Sequence, residues 1–92
     1  MKIEVTAKVK KNIDRFFAVS DAEFVLEMFE NAKFPNTTEY ERIFLAIIKL
    51  SEGNLVKFQK AFDLAKEDWR DVLVAAGFGN IGFEKKIAEY FD

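Results

Sequence analysis

The sequence predicts an all-α fold, a compact bundle of about five helices, and two observations support this prediction. Apolar residues recur every three to four positions along most of the chain, which is the spacing that lines one face of a helix. Residues that start helices (Ser, Thr, Asn or Asp) and residues that stop them (Gly or Pro) stand between these stretches. Residues 1–92 are therefore expected to form a single helical domain.

The basic amino-terminal arm, residues 1–15, is the one segment whose conformation the pattern leaves open. Polar and apolar residues alternate over residues 2–9, which is the period of a strand. Val9 and Ile13, however, also fall on one helical face. A short strand here would need its copy in another chain as a partner, because no second strand pattern follows. Helix is favoured from about Asn12 onward.

Two capping boxes predict the starts of the next two helices. In a capping box, a Ser or Thr and a Glu three residues later each satisfy an amide that the helix leaves free. Ser20 with Glu23 predicts the first of these starts, and Thr38 with Glu41 predicts the second. Pro35 predicts the end of the first helix, because the residue before a proline avoids the helical region.

The helix that follows the second capping box runs to about Glu52 and is apolar around most of its circumference. Ile43–Ile48 contains no polar residue, so this helix is expected to lie at the centre of the bundle. Gly53 is expected to end it in the left-handed conformation, and Asn54 to cap the next helix.

Two further caps divide the remainder of the chain. Asp68 is expected to cap a short helix that ends at Gly77, and Asn80 precedes a last helix. The inward side of that last helix is expected to contain four apolar residues: Phe83, Ile87, Tyr90 and Phe91.

Eleven phenylalanines are the unusual feature of the composition. They are interpreted as a core filled by a few large side chains, and the alternative is that some rings stay exposed and form an interface.

The chain contains no Cys and no His, which excludes thiolate chemistry and removes the commonest general base and metal ligand. Asp68 and Asp71 begin a helix, where carboxylates complement the helix dipole. Gly77–Gly82 reads G-x-G-x-x-G but follows a predicted helix, whereas a dinucleotide-binding loop follows a strand. No catalytic residue, cofactor or metal ligand is therefore predicted.

The formal net charge is −2, and it is unevenly distributed. Residues 1–15 carry a balance of +3 and residues 16–92 a balance of −5. Because the acidic body repels phosphate backbones, nucleic acid is the less favoured partner, and only the arm would attract it. The amino terminus has no apolar signal core and the longest strictly apolar run has six residues, so a cytoplasmic protein without a membrane span is expected.

Five residues are candidates for interaction with a partner. Glu23, Glu27 and Glu30 form an acidic stripe on one helical side, which either receives a basic partner or is simply solvated. Trp69 and Arg70 combine two residue types that are enriched at interface hot spots. Alternatively, Trp69 fills a corner between two helices and Arg70 pairs with an acid on a neighbouring helix.

Three short motifs lie in the second half of the chain. Leu50–Leu55 reads L-S-E-G-N-L, Asp68–Asp71 reads D-W-R-D, and Ala76–Phe78 reads A-G-F. Together they resemble a group of short uncharacterised bacterial helical proteins. The resemblance covers roughly residues 38–79. It implies a helical fold and a bacterial source, and it implies no activity.

The predicted function is that of a small non-catalytic protein-binding or regulatory module that acts through another protein or through its own copy as a homodimer. Abundant apolar side chains and the lack of reactive ones favour this hypothesis. The first alternative is a nucleic-acid-associated protein that uses the basic arm. A further alternative is a small enzyme subunit whose site is completed by a partner chain.

Overall fold

The computed structural model describes residues 3–92, and in this range the chain forms five helices and no strand. In chain order they are α1 (Ala7–Phe16), α2 (Val19–Glu30), α3 (Tyr40–Ser51), α4 (Leu55–Ala76) and α5 (Phe83–Phe91). The prediction of an all-α bundle of about five helices is confirmed. No helix in the described range has the length and apolar character needed to cross a membrane.

The amino-terminal arm is helical from Ala7, five residues earlier than the sequence indicated. The Thr6 hydroxyl caps the helix by accepting a hydrogen bond from the Val9 amide at 3.4 Å. Ahead of this cap, Ile3 donates one backbone hydrogen bond to the Glu30 carbonyl at 2.6 Å. The strand alternative is therefore wrong for residues 3–9, while residue 2 lies outside the described residues.

The centre of the bundle is α3, as its apolar circumference predicted. Each residue of Ile43–Ile48 is at most 1% exposed, because α4 and α1 cover the helix. Phe44 stacks on Phe29 of α2 with ring centroids 4.1 Å apart, and Phe58 and Phe62 of α4 pack around this pair. This cluster ties three helices together, and aromatic contacts of this kind stabilise a core beyond the area they bury.

Most of the phenylalanines serve this core. Eight of the eleven are buried and two are half-buried, whereas Phe24 is exposed. The core interpretation therefore holds for most of the rings, and the exposure of Phe24 leaves one ring to which the interface alternative could apply. Tyr90, also predicted to face inward, is 38% exposed.

Both predicted capping boxes are wrong. The connection after α1 contains only Phe17 and Ala18, and the burial of Phe17 fixes its course, so α2 already starts at Val19. Ser20 consequently lies inside the first turn of α2 and caps nothing. α3 starts at Tyr40, because the Tyr40 hydroxyl accepts a hydrogen bond from the Phe34 amide and fixes the preceding loop.

The later caps agree better with the predictions. The Asn54 side chain accepts from the Lys57 amide at 3.0 Å and caps α4. Asp68 accepts from the Arg70 amide at 3.1 Å, and its backbone is not helical, so α4 bends there instead of ending. Gly53 is left-handed, as expected, but Glu52 before it is left-handed too, so α3 ends one residue earlier than predicted. The last helix follows Asn80, as predicted, and its cap is Gly82, immediately before Phe83.

Three cations from α1 and α3 hold the carboxyl-terminal third of the chain. Lys49 donates to the Ala76 carbonyl at the end of α4 at 2.8 Å, and Arg15 donates to the Phe91 carbonyl at the end of α5 at 2.6 Å. Arg42 donates to the Phe78 carbonyl in the connection between these helices at 2.9 Å. Carbonyls at helix ends lack intrahelical partners and carry negative partial charge, which explains why cations collect there.

Candidate protein-binding surface

The outward side of α2 exposes apolar side chains that the core leaves uncovered. Val19 is 92% exposed and the Phe24 ring is 44% exposed, while Val25 and Phe29 on the opposite side are fully buried. Next to Phe24, Val56 of α4 is 65% exposed. Single exposed apolar residues are common on protein surfaces, whereas residues that line the same depression can receive a partner.

One depression, here called the α1–α2 groove, lies between the first two helices and has a volume of about 520 Å³. Ile13 and Phe17 form its floor from the side of α1, and Leu26 contributes from α2. The charged residues of the groove are Lys10 and Asp14 on the wall formed by α1 and Glu23 on the wall formed by α2. The complete lining is Lys10, Ile13, Asp14, Phe17, Val19, Ala22, Glu23 and Leu26.

A second depression, the α2–α4 recess, lies on the other side of α2. Phe24 forms one edge of it, and Leu55 and Val56 form its apolar part. Its lining is completed by Gln59, Lys60 and Asp63. Phe24 also borders a shallow pocket with Met28, so one exposed ring connects the apolar surface on this side of α2.

An acidic ridge separates the two depressions. It consists of Glu23 and Glu27, both exposed and on the outward side of α2, as the sequence predicted. Glu30, the third member of the predicted stripe, is only half-exposed, and its backbone carbonyl accepts the hydrogen bond from Ile3. The ridge is therefore shorter than the predicted stripe.

The whole of α2 carries four acidic residues and no basic one. None of these acids lies within 4 Å of a cation among the residues that the structure describes, although four ion pairs occur elsewhere in that range. The neighbouring α1 carries four basic residues and one acidic residue. Two adjacent helices of opposite charge thus border the α1–α2 groove.

The structure favours the corner interpretation of Trp69. Its indole Nε1–H donates to the Pro35 carbonyl at 2.8 Å and so fastens the loop between α2 and α3 to the bend of α4. Arg70 is exposed and lies 5.0 Å from the Trp69 ring. Within residues 3–92 it forms no ion pair, in contrast to the predicted pairing with an acid on a neighbouring helix. Neither residue lines the α1–α2 groove or the α2–α4 recess.

Two basic residues of the amino-terminal arm contact the carboxyl-terminal end of the chain. Lys8 lies 3.7 Å from the Asp92 carboxylate, and Arg15 donates to the Phe91 carbonyl. Lys10 and Lys11 remain exposed on α1, without an ion pair in the described part of the chain. Fewer cations are therefore available for a phosphate backbone than the sequence alone indicated.

The charged residues that line the two depressions are Lys10, Asp14, Glu23, Lys60 and Asp63. The structure shows no group of three acidic side chains that could hold a metal ion among residues 3–92. Elsewhere, at the turn after α3, the Lys57 ammonium donates to Glu52 and lowers the pKa of that carboxyl. The surface around α2 can therefore bind through shape, apolar contact and charge.

Sequence reasoning missed the apolar half of this surface. The helical period groups Phe24 with Val25 and Phe29 and so does not indicate that its ring is exposed, and the predicted start at Ser20 left Val19 outside α2. A prediction that the amino-terminal helix begins at Ala7 would have indicated the α1–α2 groove, because this helix forms one of its walls.

Comparison with models of protein families, with curated proteins and with solved structures found no match to this chain.

Proposed function

We propose that this chain is a non-catalytic protein-binding module that uses the outward side of α2 to bind a protein surface carrying basic and apolar side chains. The observation that carries the proposal is the acidic ridge of Glu23 and Glu27 between the α1–α2 groove and the α2–α4 recess. Within the described residues, no cation forms an ion pair with Glu23 or Glu27. A basic partner is therefore attracted to these carboxylates without having to displace an internal ion pair. The proposed location is the cytoplasm.

Apolar contacts and charged contacts contribute differently to the proposed binding. Burial of exposed apolar side chains such as Val19 and Phe24 supplies the favourable free energy, at roughly 25 cal/mol for each Å² of apolar surface removed from water. The acidic ridge selects a basic partner and speeds its association, more than it adds affinity. Exposed charges separated by more than about 8 Å are screened at physiological salt, so the selection should weaken as salt is added.

A synthetic amphipathic helix of leucine and lysine is a suitable probe for the binding test. Its fluorescence anisotropy is titrated with the full chain, and the same peptide with glutamate in place of lysine is the control ligand. We expect the basic peptide to bind and the acidic one not to bind. Replacing the ridge charges in the double variant Glu23→Gln/Glu27→Gln should weaken binding by about tenfold, because each exposed charge contributes about 0.5–1 kcal/mol.

A matched variant on α5 separates local binding from general attraction to an acidic protein. Glu84 and Glu89 are exposed acids, and the double variant Glu84→Gln/Glu89→Gln changes the net charge by the same amount as the ridge variant. It should bind the basic peptide as the unmodified chain does. Equal weakening by both variants, or binding of the acidic peptide, would show that α2 is not the docking surface.

A further inference from the structure

We infer that the protein surface which docks on α2 is a second copy of this chain, related by a two-fold axis that runs along the α1–α2 groove. The inference rests on the proposed function and names its partner. A two-fold interface brings the same patch of both copies together, so such a patch must be complementary to itself. The patch formed by α1 and α2 is complementary to itself in two respects, the distribution of its charges and the shape of its surface.

The positive charge of the patch lies on one helix and the negative charge on the other. α1 carries a net charge of +3 and the adjacent α2 a net charge of −4. A two-fold axis along the groove places α1 of each copy opposite α2 of the other. Lys10 and Glu23, which line the groove, then face each other between the copies, with Lys11 and Glu27 next to them, and the same contact occurs a second time by symmetry. All four side chains are exposed and lack ion pairs within residues 3–92. Asp14 also lines the α1 wall, and it leaves α1 with a net positive charge.

The surface shape of the patch is also complementary to itself. Val19 belongs to the lining of the α1–α2 groove and is 92% exposed, so it stands at the rim and not in the floor. The floor contributed by Ile13, Phe17 and Leu26 offers an apolar surface to a side chain of this size. In a two-fold dimer, each Val19 can enter the groove of the other copy and remove both apolar surfaces from water.

No other exposed helix offers this complementarity. α4 carries four basic and four acidic residues along its length, and α5 carries two of each sign. α3 is largely covered by its neighbours. Within the described residues, the separation of positive from negative charge on adjacent helices is therefore a property of α1 and α2, and it indicates where a copy would bind.

Charge reversal on each helix gives a direct test by sedimentation velocity over a range of protein concentrations. The unmodified chain is expected to form a dimer that weakens with added salt. The double variant Lys10→Glu/Lys11→Glu places acids at the contact positions of both helices, and Glu23→Lys/Glu27→Lys places bases at the contact positions of both, so each variant alone should be a monomer. An equimolar mixture should form a heterodimer, because the glutamates at positions 10 and 11 then meet the lysines at positions 23 and 27, and the unmodified Glu23 and Glu27 meet the unmodified Lys10 and Lys11.

The control reverses two lysines outside the patch. Lys85 and Lys86 are exposed on α5, and Lys85→Glu/Lys86→Glu has the same net charge as Lys10→Glu/Lys11→Glu. It should dimerise like the unmodified chain, and its heterodimer with Glu23→Lys/Glu27→Lys should be much weaker than that of the two patch variants, because only one of the two contacts is then attractive. Heterodimers of equal affinity in the two mixtures would mean that net charge and not the patch drives association, and would overturn the inference.

Two other results would also overturn it. The first is an unmodified chain that stays monomeric at millimolar concentration in low salt, and the second is a dimer that neither reversal weakens by at least tenfold. The proposed function would survive either result if the basic peptide still bound α2 in a manner that depends on Glu23 and Glu27. Circular dichroism checks that the variants are folded, which is expected because all the substituted side chains are exposed.

Discussion

The Arg42 guanidinium lies 3.7 Å from the centroid of the Phe83 ring, while its Nε donates to the Phe78 carbonyl at 2.9 Å. One side chain of the central helix α3 thus contacts both the connection after α4 and the first residue of α5. Its side chain is only 17% exposed, so both contacts are partly shielded from water. Stacking on a ring combined with a directed hydrogen bond is a geometry that arginine provides and lysine does not.

Arg42→Ala is therefore expected to lower the free energy of unfolding by about 2–3 kcal/mol. This value is the sum of the contributions of a charge-assisted hydrogen bond and a shielded cation–π contact. Arg42→Lys should recover less than half of this loss, because the ammonium cannot stack in the same plane. Urea unfolding monitored by circular dichroism measures both. Arg70→Ala is the control, because Arg70 is exposed and lies 5.0 Å from an aromatic ring, and it should cost under about 0.5 kcal/mol. Equal losses for Arg42→Ala and Arg70→Ala would contradict the prediction.

A close approach between Gly53 and α1 leads to the second prediction. Gly53 has φ +73°, and a Cβ added to it would lie 2.5 Å from the Phe16 carbonyl oxygen. Gly77 has a similar φ of +81° and open space around the added atom. Gly77→Ala should cost about 1–2 kcal/mol, the ordinary penalty of the left-handed conformation. Gly53→Ala should cost clearly more, because either α1 or the turn must move as well.

Thermal and urea unfolding of the two glycine variants isolate the contribution of this approach. The excess cost of Gly53→Ala over Gly77→Ala measures how rigidly the end of α1 is held against the turn between α3 and α4. Similar losses in the two variants would show that the backbone at Phe16 yields at little cost. The result also bears on the α1–α2 groove, whose lining includes Phe17, the residue that follows Phe16.

The parts of the fold that could be read from the sequence are those that local interactions determine. The apolar run Ile43–Ile48 required burial on all sides, and α3 accordingly lies at the centre. Asn54 and Asp68 cap amides that are two or three residues away, so no distant partner was needed. Ser20 and Thr38 fit the same kind of local rule and failed, because buried Phe17 and the Tyr40 hydroxyl set where the two helices begin.

The candidate surface was only half predictable for a related reason. The exposed position of Glu23 and Glu27 follows from the helical period of α2 alone, so the sequence indicated the acidic ridge. The exposure of Phe24 depends on how closely α4 approaches, which is a property of the packed bundle. The groove exists only because the amino-terminal arm is a helix next to α2, and alternation over residues 2–9 obscured that helix.

The third prediction distinguishes a structural role of Trp69 from a role in recognition. Trp69→Phe keeps an aromatic side chain and removes the hydrogen bond to the Pro35 carbonyl, so it should cost about 1 kcal/mol. Hydrogen exchange should become faster at the Phe34 amide, which is bonded to the Tyr40 hydroxyl in the same loop. Peptide binding at α2 should not change. Weaker binding together with unchanged exchange would assign Trp69 to a binding site.

The last prediction concerns a polar group inside the core, Asn12 of α1, which is 1% exposed. Its Nδ2 donates to the Lys8 carbonyl at 2.9 Å, but its Oδ1 is buried and accepts no hydrogen bond from any described residue. An unsatisfied buried acceptor costs about 1–3 kcal/mol. Leucine branches at Cγ as asparagine does and carries no polar atom. Asn12→Leu should therefore raise the free energy of unfolding by about 1 kcal/mol, after the loss of the bond to Lys8.

Asn12→Asp is the opposing variant. It keeps the shape of the side chain and places a carboxylate where neither oxygen has a donor, since the Lys8 carbonyl can only accept. It should lower the free energy of unfolding by about 3 kcal/mol or more, because an unpaired buried charge is far costlier than a neutral amide. Urea unfolding at neutral pH compares the two variants with the unmodified chain. If Asn12→Leu proved as destabilising as Asn12→Asp, the Oδ1 must be satisfied in solution, and Asn12 would belong to the polar contacts that stabilise α1.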